Sequence, residues 1–339
     1  MSYRRVICNQ ISADFKKCTS VETLPIPTTA SLKPTEVLVR NRFAGINASD
    51  INYTNGKYRP NVKPPFACGM ESIGEVVACG SSVTQSNLKP GSAVIVNEFG
   101  AFSEYQTVAS RFLRPVPRVD PKVLAIEISG TTASIALEQV AQPVAGETAL
   151  VTAAAGGTGL FACSLLKKVY GCKVIGTCSS QAKADFLKSD RVGCDEVIDY
   201  TKQNVSETLS KRRGGVNLVY ESVGGEMLDA ALENIAIKGR IVTIGGITGY
   251  SSGGDWTTSN AVRIPQILLG KSASLRGFFL MHYKKQLDPH FHRLLDMVDK
   301  GELESFVDTT KTFKGIEQVV DAVGHLHSKQ NIGKVVVEF

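Results

Sequence analysis

Two patterns of apolar and polar positions divide the chain. Before residue 123, short alternating runs such as 36–46, 72–80 and 93–96 are separated by Gly and Pro turns. Short strands joined by such turns predict a small β-barrel. From Val123 onward, short β-branched runs alternate with helical patterns. This alternation predicts an α/β domain built on a doubly wound parallel sheet.

The second pattern predicts individual elements. Strands are expected at 148–153, 172–177, 195–199, 216–220, 238–244 and 274–280. Helices are expected at 124–141, 160–170 and 313–326, and a last strand at 332–339 is expected to return to the first part. The chain therefore predicts two domains, 1–123 with 305–339 and 124–304.

Composition narrows the class of protein. The chain has 339 residues, 43% of them hydrophobic, and contains no apolar run long enough to span a bilayer. Its first residues lack the apolar core of a secretion signal, and its eight scattered cysteines form no C-x-x-C pair. These features predict a cytoplasmic protein with reduced thiols and no membrane partner. The net charge of +6 is mild and only 211–213 is densely basic, so no nucleic-acid partner is expected.

Residues 149–159 carry the main chemical signal. An apolar run leads into Ala154, Gly156 and Gly159, and a helical pattern follows. Glycines in such a turn let the backbone approach a pyrophosphate, and the helix N-terminus supplies N–H groups. A glycine-rich turn can also join a strand to a helix without any ligand, so this motif alone leaves both interpretations open.

The end of the second predicted strand bears on the choice of dinucleotide. NAD-binding proteins place an acidic residue there, whereas this chain has Ser179, Ser180 and Lys183. Hydroxyls and an ammonium suit a 2′-phosphate, which favours NADP(H). Ser179 or Ser180 could also cap a helix at 181–188, and one helix end can serve both purposes.

Later strands also end in small or polar residues. These stretches are 221–225, 244–250 and 277–280. Parallel sheets bind ligands at the carboxyl ends of their strands, so three such ends support a common crevice.

With these motifs in place, the chain resembles the medium-chain dehydrogenase/reductase superfamily. It is most similar to the zinc-lacking branch of quinone reductases and prostaglandin/leukotriene reductases. The resemblance runs from end to end and is carried by 39–43, 45–53, 129–133, 151–159, 220–225 and 277–280.

The resemblance implies a GroES-like β-barrel domain and a Rossmann domain, with substrate between them. It also implies NADPH-dependent reduction of the double bond of an α,β-unsaturated ketone, such as a 15-oxo-prostaglandin or another oxo-lipid. A homodimer is a further family expectation. The implied cofactor-binding residues are Gly157, Thr158, Ser179, Lys183, Tyr200, Ser222, Ile244, Tyr250, Phe278, Phe279, Leu280 and Asn331. Asn331 could instead be a turn residue before the last strand.

The same comparison argues against zinc. Zinc-dependent relatives place Cys and His where this chain has Asn47 and Met70, and neither residue supplies a thiolate or imidazole. The closely spaced cysteines of a structural zinc loop are also missing. The five histidines fall late in the chain, and their i,i+2 pairs predict ordinary surface residues. No metal is therefore expected.

Reduction of a conjugated double bond can proceed without a metal. Hydride adds to the β-carbon, and a hydrogen-bond donor stabilises the enolate oxygen. Tyr53 and Tyr58 are the candidate catalytic residues, with Tyr250 and the cofactor's ribose hydroxyl as further donors. Asn47 is the candidate substrate-binding residue. Asn47 could equally stabilise a turn, and both tyrosines could be pocket wall.

Two other functions stay open. A quinone reductase would use the same cofactor and cleft, and only turnover separates it from an enone reductase. A non-catalytic nucleotide- or RNA-binding protein of crystallin-like type would need a basic face with aromatic residues, of which 211–213 is the only trace.

Overall fold

A computed structural model describes residues 1–250 and 263–339 of the chain. The chain divides into two compact units, one formed by Met1–Ile128 with Val307–Phe339 and the other by Ser129–Phe306. The hydrophobic pattern of the sequence predicts the corresponding boundaries at residues 123 and 304.

The strands of the described residues follow in chain order. They are β1 (Ser2–Cys8), β2 (Thr19–Pro25), β3 (Glu36–Gly45), β4 (Phe66–Ala67), β5 (Glu71–Cys79), β6 (Ala93–Val96), β7 (Tyr105–Ala109), β8 (Leu113–Pro115), β9 (Thr148–Val151), β10 (Lys173–Cys178), β11 (Glu196–Asp199), β12 (Val216–Glu221), β13 (Ile235–Thr243), β14 (Ser274–Gly277), β15 (Phe313–Lys314) and β16 (Val336–Glu338).

The α-helices of the same residues are mostly short. They are α1 (Phe15–Cys18), α2 (Asp50–Thr54), α3 (Pro121–Ala125), α4 (Thr131–Ile135), α5 (Gly157–Lys168), α6 (Gln181–Lys188), α7 (Val205–Ser210), α8 (Glu226–Glu233), α9 (Ile264–Lys271), α10 (Lys284–Asp299) and α11 (Val319–His327). The π-helical turns Ile126–Gly130 and Ala136–Ala141 flank α4, so the predicted helix at 124–141 is helical with two wide turns.

The second unit is built on one parallel sheet with strand order β11-β10-β9-β12-β13-β14. The chain starts in the middle, at β9, moves outward to β11 and then resumes on the other side of β9. This reversal leaves a crevice beyond the carboxyl ends of β9 and β12, the usual ligand position in such sheets. The prediction of a doubly wound parallel sheet is confirmed.

The first unit is mainly antiparallel. Its larger sheet has the order β15-β16-β3-β5-β6-β8, with β7 also paired to β3, and a smaller sheet has the order β2-β1-β4. β16 pairs with β3, Val336 lying opposite Gly45. The prediction that the chain end returns to the first part is therefore confirmed, over a shorter strand than 332–339.

The predicted helix at 313–326 is wrong at its start. Phe313 lies in β15, opposite Val337 of β16, and its ring is buried. Gly315 then takes a φ of 82°, a left-handed conformation that ends the strand, and α11 begins only at Val319. Burial of Phe313 between strands overrides the local helical pattern.

The prediction of surface histidines is wrong for two of the five. His290 is buried, with Nδ1 2.8 Å from the Ser134 hydroxyl, and His325 is buried, with Nε2 2.8 Å from an Asp308 carboxylate oxygen. A partner of this kind compensates for the loss of water around an imidazole. Within residues 1–250 and 263–339, no helix has the length and apolar content needed to cross a membrane.

Candidate cofactor and substrate sites

The turn after β9 is fixed to the neighbouring strand β10. Ala153 has a φ of 48°, and its N–H donates to the Thr177 hydroxyl at 3.2 Å. The next N–H, of Ala154, donates to the Thr177 carbonyl at 3.0 Å. Thr177 therefore sets the path of the glycine-rich turn, a role that sequence reasoning missed because it lies in the pairing of two strands.

Helix α5 begins directly at this turn. A Cβ on Gly159 would lie 2.4 Å from the Ala153 carbonyl oxygen, so only glycine allows the helix to pack this close. Gly157 and Thr158 are the first two residues of α5. Because the first N–H groups of a helix have no acceptor within the helix, they are available to an anion such as a pyrophosphate. The predicted residues fit the phosphate end of a dinucleotide.

The residues predicted for a 2′-phosphate lie at the ends of β10 and β11. Ser180 caps α6, its hydroxyl accepting the Lys183 N–H at 3.4 Å, which confirms the cap alternative. Ser179 is hydrogen-bonded to the Tyr200 hydroxyl, and the Tyr200 N–H donates to the Cys178 carbonyl at 3.1 Å. Ser179 and Tyr200 are thus brought together, while Lys183 lies in the first turn of α6 and is largely buried.

One acidic residue at this edge was not foreseen. Asp199, the last residue of β11, is buried, and Thr201 donates to it from its N–H at 3.1 Å and its hydroxyl at 2.6 Å. These bonds lower the pKa of Asp199, with burial acting in the opposite direction. A carboxylate here opposes a phosphate, and the Lys202 ammonium, 3.8 Å from the other Asp199 oxygen, offsets part of its charge.

The loop after β12 is shaped by a buried carboxyl group. One Glu221 oxygen accepts N–H groups from Val223 at 2.8 Å and Gly224 at 2.9 Å. The Ser222 N–H donates to the Thr152 hydroxyl at 2.8 Å, which ties the loop to the end of β9. Burial raises the pKa of Glu221, with the two loop N–H groups acting in the opposite direction. Thr152 and Glu221 position Ser222, and sequence reasoning singled out neither.

The loop after β13 folds over two glycines. Ile244 donates its N–H to the Glu221 carbonyl at 2.6 Å. The Tyr250 hydroxyl accepts the Gly246 N–H at 3.2 Å, and a Cβ on Gly245 would lie only 2.8 Å from that hydroxyl. Tyr250 is therefore buried against its own loop, with its hydroxyl directed to the backbone.

The remaining predicted residues of this unit follow β14. Phe278 is buried, stacks on Tyr283 at 4.9 Å and donates its N–H to the Thr243 carbonyl at 3.0 Å. Phe279 is exposed and Leu280 half-buried. Together with the preceding loops, they place the predicted cofactor residues of this unit at one edge of the sheet.

Asn331 lies in the first unit. Its side-chain N–H donates to the Gly333 carbonyl at 2.9 Å, which is the turn interpretation, and the residue is buried. Its predicted contact with a cofactor stays a prediction.

The candidate catalytic tyrosines pack together in the first unit. The Tyr53 ring lies 5.5 Å from the Tyr58 ring and 4.2 Å from the Phe99 ring, measured between centroids. Burial raises the pKa of Tyr53, and the nearby Asp50 adds to the effect. The Tyr53 hydroxyl makes no hydrogen bond to another residue of the described ranges. It is therefore a neutral phenol that can donate to a ligand.

Asn47 has partners at both ends of its amide. Its oxygen accepts from the Lys334 ammonium at 2.7 Å, and its N–H group donates to a Glu71 oxygen at 3.1 Å. Lys334 and Glu71 also form a buried ion pair with each other. Sequence reasoning missed this pair because its members are separated by 263 positions.

Asp50, at the start of α2, is buried, and one of its oxygens accepts the Asn47 N–H at 2.8 Å. Burial raises the pKa of Asp50 to about 7, with that N–H and Lys334 acting in the opposite direction. Folding thus favours the protonated form of Asp50. The contribution of Asp50 protonation to the free energy of unfolding is fully present below the ordinary pKa of 3.8 and is lost as the pH rises through 7.

We therefore expect Asp50→Asn to gain stability relative to the wild type as the pH rises from 4 to 8. One unit of pKa shift corresponds to about 1.4 kcal/mol, so the relative gain should reach a few kcal/mol. Urea unfolding of both proteins across this range measures it. The contributions of the other carboxyl groups are the same in both proteins and cancel when the two unfolding free energies are subtracted. If the remaining difference did not change with pH, the raised pKa of Asp50 would be contradicted.

No group of three or more His, Cys, Asp or Glu side chains suited to a metal is present in the described part of the chain. Met70 follows Gly69 in the loop before β5, and its sulfur lies 4.0 Å from the Ser49 hydroxyl. The donor set expected of a zinc-dependent relative is thus replaced by a thioether and an amide.

Comparison with known proteins agrees with this architecture. Residues 33–118 match the model of the alcohol dehydrogenase GroES-like domain, and residues 157–300 match that of zinc-binding dehydrogenases. Prostaglandin reductase-3 from Mus musculus is 44% identical over 99% of this chain and 89% of its own. A probable quinone oxidoreductase from Leishmania amazonensis is 42% identical over 99% of this chain and 98% of its own.

A solved structure extends the likeness to the fold. Quinone oxidoreductase from Escherichia coli, complexed with NADPH, superposes with a TM-score of 0.84 over 99% of this chain and 100% of that one, at 24% identity. The prediction of a GroES-like domain followed by a Rossmann domain is confirmed.

Proposed function

Because the chain belongs to the medium-chain dehydrogenase/reductase family, we propose that it is an NADPH-dependent reductase of α,β-unsaturated ketones. Two 42–44% relatives, a prostaglandin reductase-3 and a probable quinone oxidoreductase, support a reductase. The observation that carries the proposal is the edge of the parallel sheet, where the turn before α5, Ser179, Tyr200 and the Ser222 loop are all fixed by hydrogen bonds.

The residues at this edge fit a phosphorylated dinucleotide. Gly159 allows the close approach of α5 to its strand, and the N–H groups of Gly157 and Thr158 would hold the pyrophosphate. Ser179, Tyr200 and Lys183 would hold the 2′-phosphate. Ser222, Ile244, Tyr250 and Phe278–Leu280 would line the path to the nicotinamide. When bound, NADPH supplies the hydride for the β-carbon of the enone.

Tyr53 would then stabilise the charge that develops on the substrate oxygen. A tyrosine phenol is protonated at neutral pH, and burial raises the pKa of Tyr53 further, so the hydroxyl can act as a hydrogen-bond donor. Packing against Phe99 and Tyr58 restricts its ring, which reduces the cost of orienting the hydroxyl during reaction. The aromatic surface also suits an apolar substrate chain, as in an oxo-lipid.

Purified protein should oxidise NADPH in the presence of a short enone, and faster with a 15-oxo-prostaglandin. Mass spectrometry should find the product saturated at the double bond adjacent to the ketone. A quinone arm tests the second candidate function, which the 42% identity to a probable quinone oxidoreductase supports. Turnover of quinone alone would replace the enone assignment, and turnover of neither would reject both.

We expect Tyr53→Phe to lower kcat for the enone by roughly 100-fold, the usual cost of losing one donor to a developing oxyanion. NADPH affinity should be unchanged. Tyr58→Phe is the matched variant, since it removes a hydroxyl from the adjacent ring. Steady-state kinetics measure kcat, and a cofactor titration measures NADPH affinity. An unchanged kcat in Tyr53→Phe would show that Tyr53 only lines the pocket and does not act in the reaction.

The cellular setting is proposed on separate grounds. All eight cysteines are free thiols, and seven of them are buried, which suits a reducing compartment such as the cytoplasm. A homodimer stays a prediction.

A further inference from the structure

We propose that Lys334 and Glu71 form a positioning pair for the catalytic tyrosine, acting through Asn47 and Asp50. The inference rests on the proposed function in one respect, which is that Tyr53 donates the hydrogen bond to the substrate oxygen. It assigns Asn47 a role different from substrate binding, since both ends of its amide already serve the pair.

The pair joins three segments of the first unit. Glu71 begins β5, Lys334 lies just before β16, and Asn47 lies between β3 and α2. The Lys334 and Glu71 side chains are 3% and 0% exposed, so their charges are withdrawn from water. A buried ammonium needs partners on more than one side, and here it has a carboxylate and an amide oxygen.

Gly45 provides the room for this arrangement. A Cβ at that position would lie 2.6 Å from a Glu71 oxygen and 2.9 Å from the Lys334 side chain. The other Glu71 oxygen accepts the Ile128 N–H at 3.2 Å, which leaves that carboxylate little freedom to move. The ammonium therefore lies at a fixed point, and Asn47 is held to it.

From Asn47 the connection continues into α2. The Asn47 N–H donates to an Asp50 oxygen at 2.8 Å, and the Asp50 N–H donates back to the Asn47 carbonyl at 3.0 Å. Asp50 is the first residue of α2, and Tyr53 follows one helical turn later. Since α2 has only five residues, its orientation depends on how its first turn is anchored.

The test separates positioning from folding. Lys334→Met combined with Glu71→Met replaces the pair by apolar side chains of similar volume, a change that leaves many proteins folded. We expect this double variant to fold with most of the wild-type thermal stability and to keep the wild-type NADPH affinity. Its kcat for the enone should fall roughly 10- to 100-fold, the scale expected when a catalytic group is displaced by about 1 Å.

Asn47→Ala provides the second variant. It leaves the Lys334–Glu71 ion pair in place and removes only the side-chain amide that links this pair to the Asn47 backbone. It should reduce kcat to a similar extent, and adding it to the double variant should cause little further loss. If the double variant does not fold, Asn47→Ala alone decides. A wild-type kcat in either folded variant, or fully additive losses, would overturn the proposal.

A spectroscopic readout separates this inference from the proposed function. In protein labelled with 3-fluorotyrosine, the Tyr53 resonance is identified by its loss in Tyr53→Phe, and it should shift or broaden in both variants. An unmoved resonance would overturn the positioning role even if the protein reduces enones. A moved resonance without turnover of enones would support positioning and reject the proposed function. Replacement of the Arg240–Glu147 pair of the other unit by Met is the matched control, and it should leave the resonance and kcat unchanged.

Discussion

Replacement of Lys334 by Met should lower the free energy of unfolding by roughly 3–5 kcal/mol at neutral pH, the usual cost of removing one member of a buried ion pair. The variant leaves the Glu71 carboxylate buried with only the Asn47 and Ile128 N–H groups as donors. The Asn47 oxygen also loses its donor. Both losses act in the native state, where water cannot replace the ammonium.

Urea unfolding at pH 7 measures the effect, with two controls. Adding Glu71→Met should restore most of the lost stability, because no charge then stays buried without a partner. Lys300→Met removes the same kind of side chain from an ion pair that is more than half exposed, and it should change stability by less than about 1 kcal/mol. A loss in Lys334→Met no larger than in Lys300→Met would show that the pair contributes little.

The parallel sheet was predictable because its signal is local. Each of its strands is a short apolar run bounded by turn residues, and each helix shows its own periodicity. The carboxyl ends of such strands must meet at one edge, so the Ser222, Ile244 and Phe278 stretches could be grouped from the sequence. The structure places them there, at the ends of β12, β13 and β14.

Contacts between distant segments could not be predicted in this way. Thr177 and Thr152 shape the cofactor loops through hydrogen bonds between neighbouring strands, and nothing in the local sequence distinguishes them from other strand-end residues. The Lys334–Glu71 pair is a stronger case, because a lysine close to a chain end ordinarily predicts a solvated side chain. Its burial follows from the pairing of β16 with β3.

Residues of both units also show where local propensity fails. The helical pattern at 313–326 includes Phe313, which instead forms part of β15 because its ring is buried there. The spacing of the histidines predicts exposure, yet the partners of His290 and His325 come from residues 156 and 17 positions away. In each case tertiary contacts decide the outcome.

Removal of the Lys183 ammonium should raise the KM for NADPH by roughly 30- to 1,000-fold and leave the KM for NADH nearly unchanged. Charge-assisted hydrogen bonds contribute about 1.5–3 kcal/mol each, and a loss of about 2–4 kcal/mol corresponds to this range. Lys183 lies in the first turn of α6, beside the strand end that carries Ser179, where its ammonium would oppose the charge of a 2′-phosphate. NADPH binding by Lys183→Ala should also depend less on salt.

Lys188→Ala is the matched control, since it removes the same side chain from the exposed last position of the same helix. It should leave both cofactors unaffected, and thermal unfolding of both variants separates a binding defect from a folding defect. Equal weakening of NADPH and NADH in Lys183→Ala would make Lys183 a structural residue of α6. NADPH and NADH differ only in the 2′-phosphate, so a site in which Ser179, Tyr200 and an ammonium bind this group must favour NADPH. Equal use of the two cofactors by the wild type would therefore reject the 2′-phosphate site.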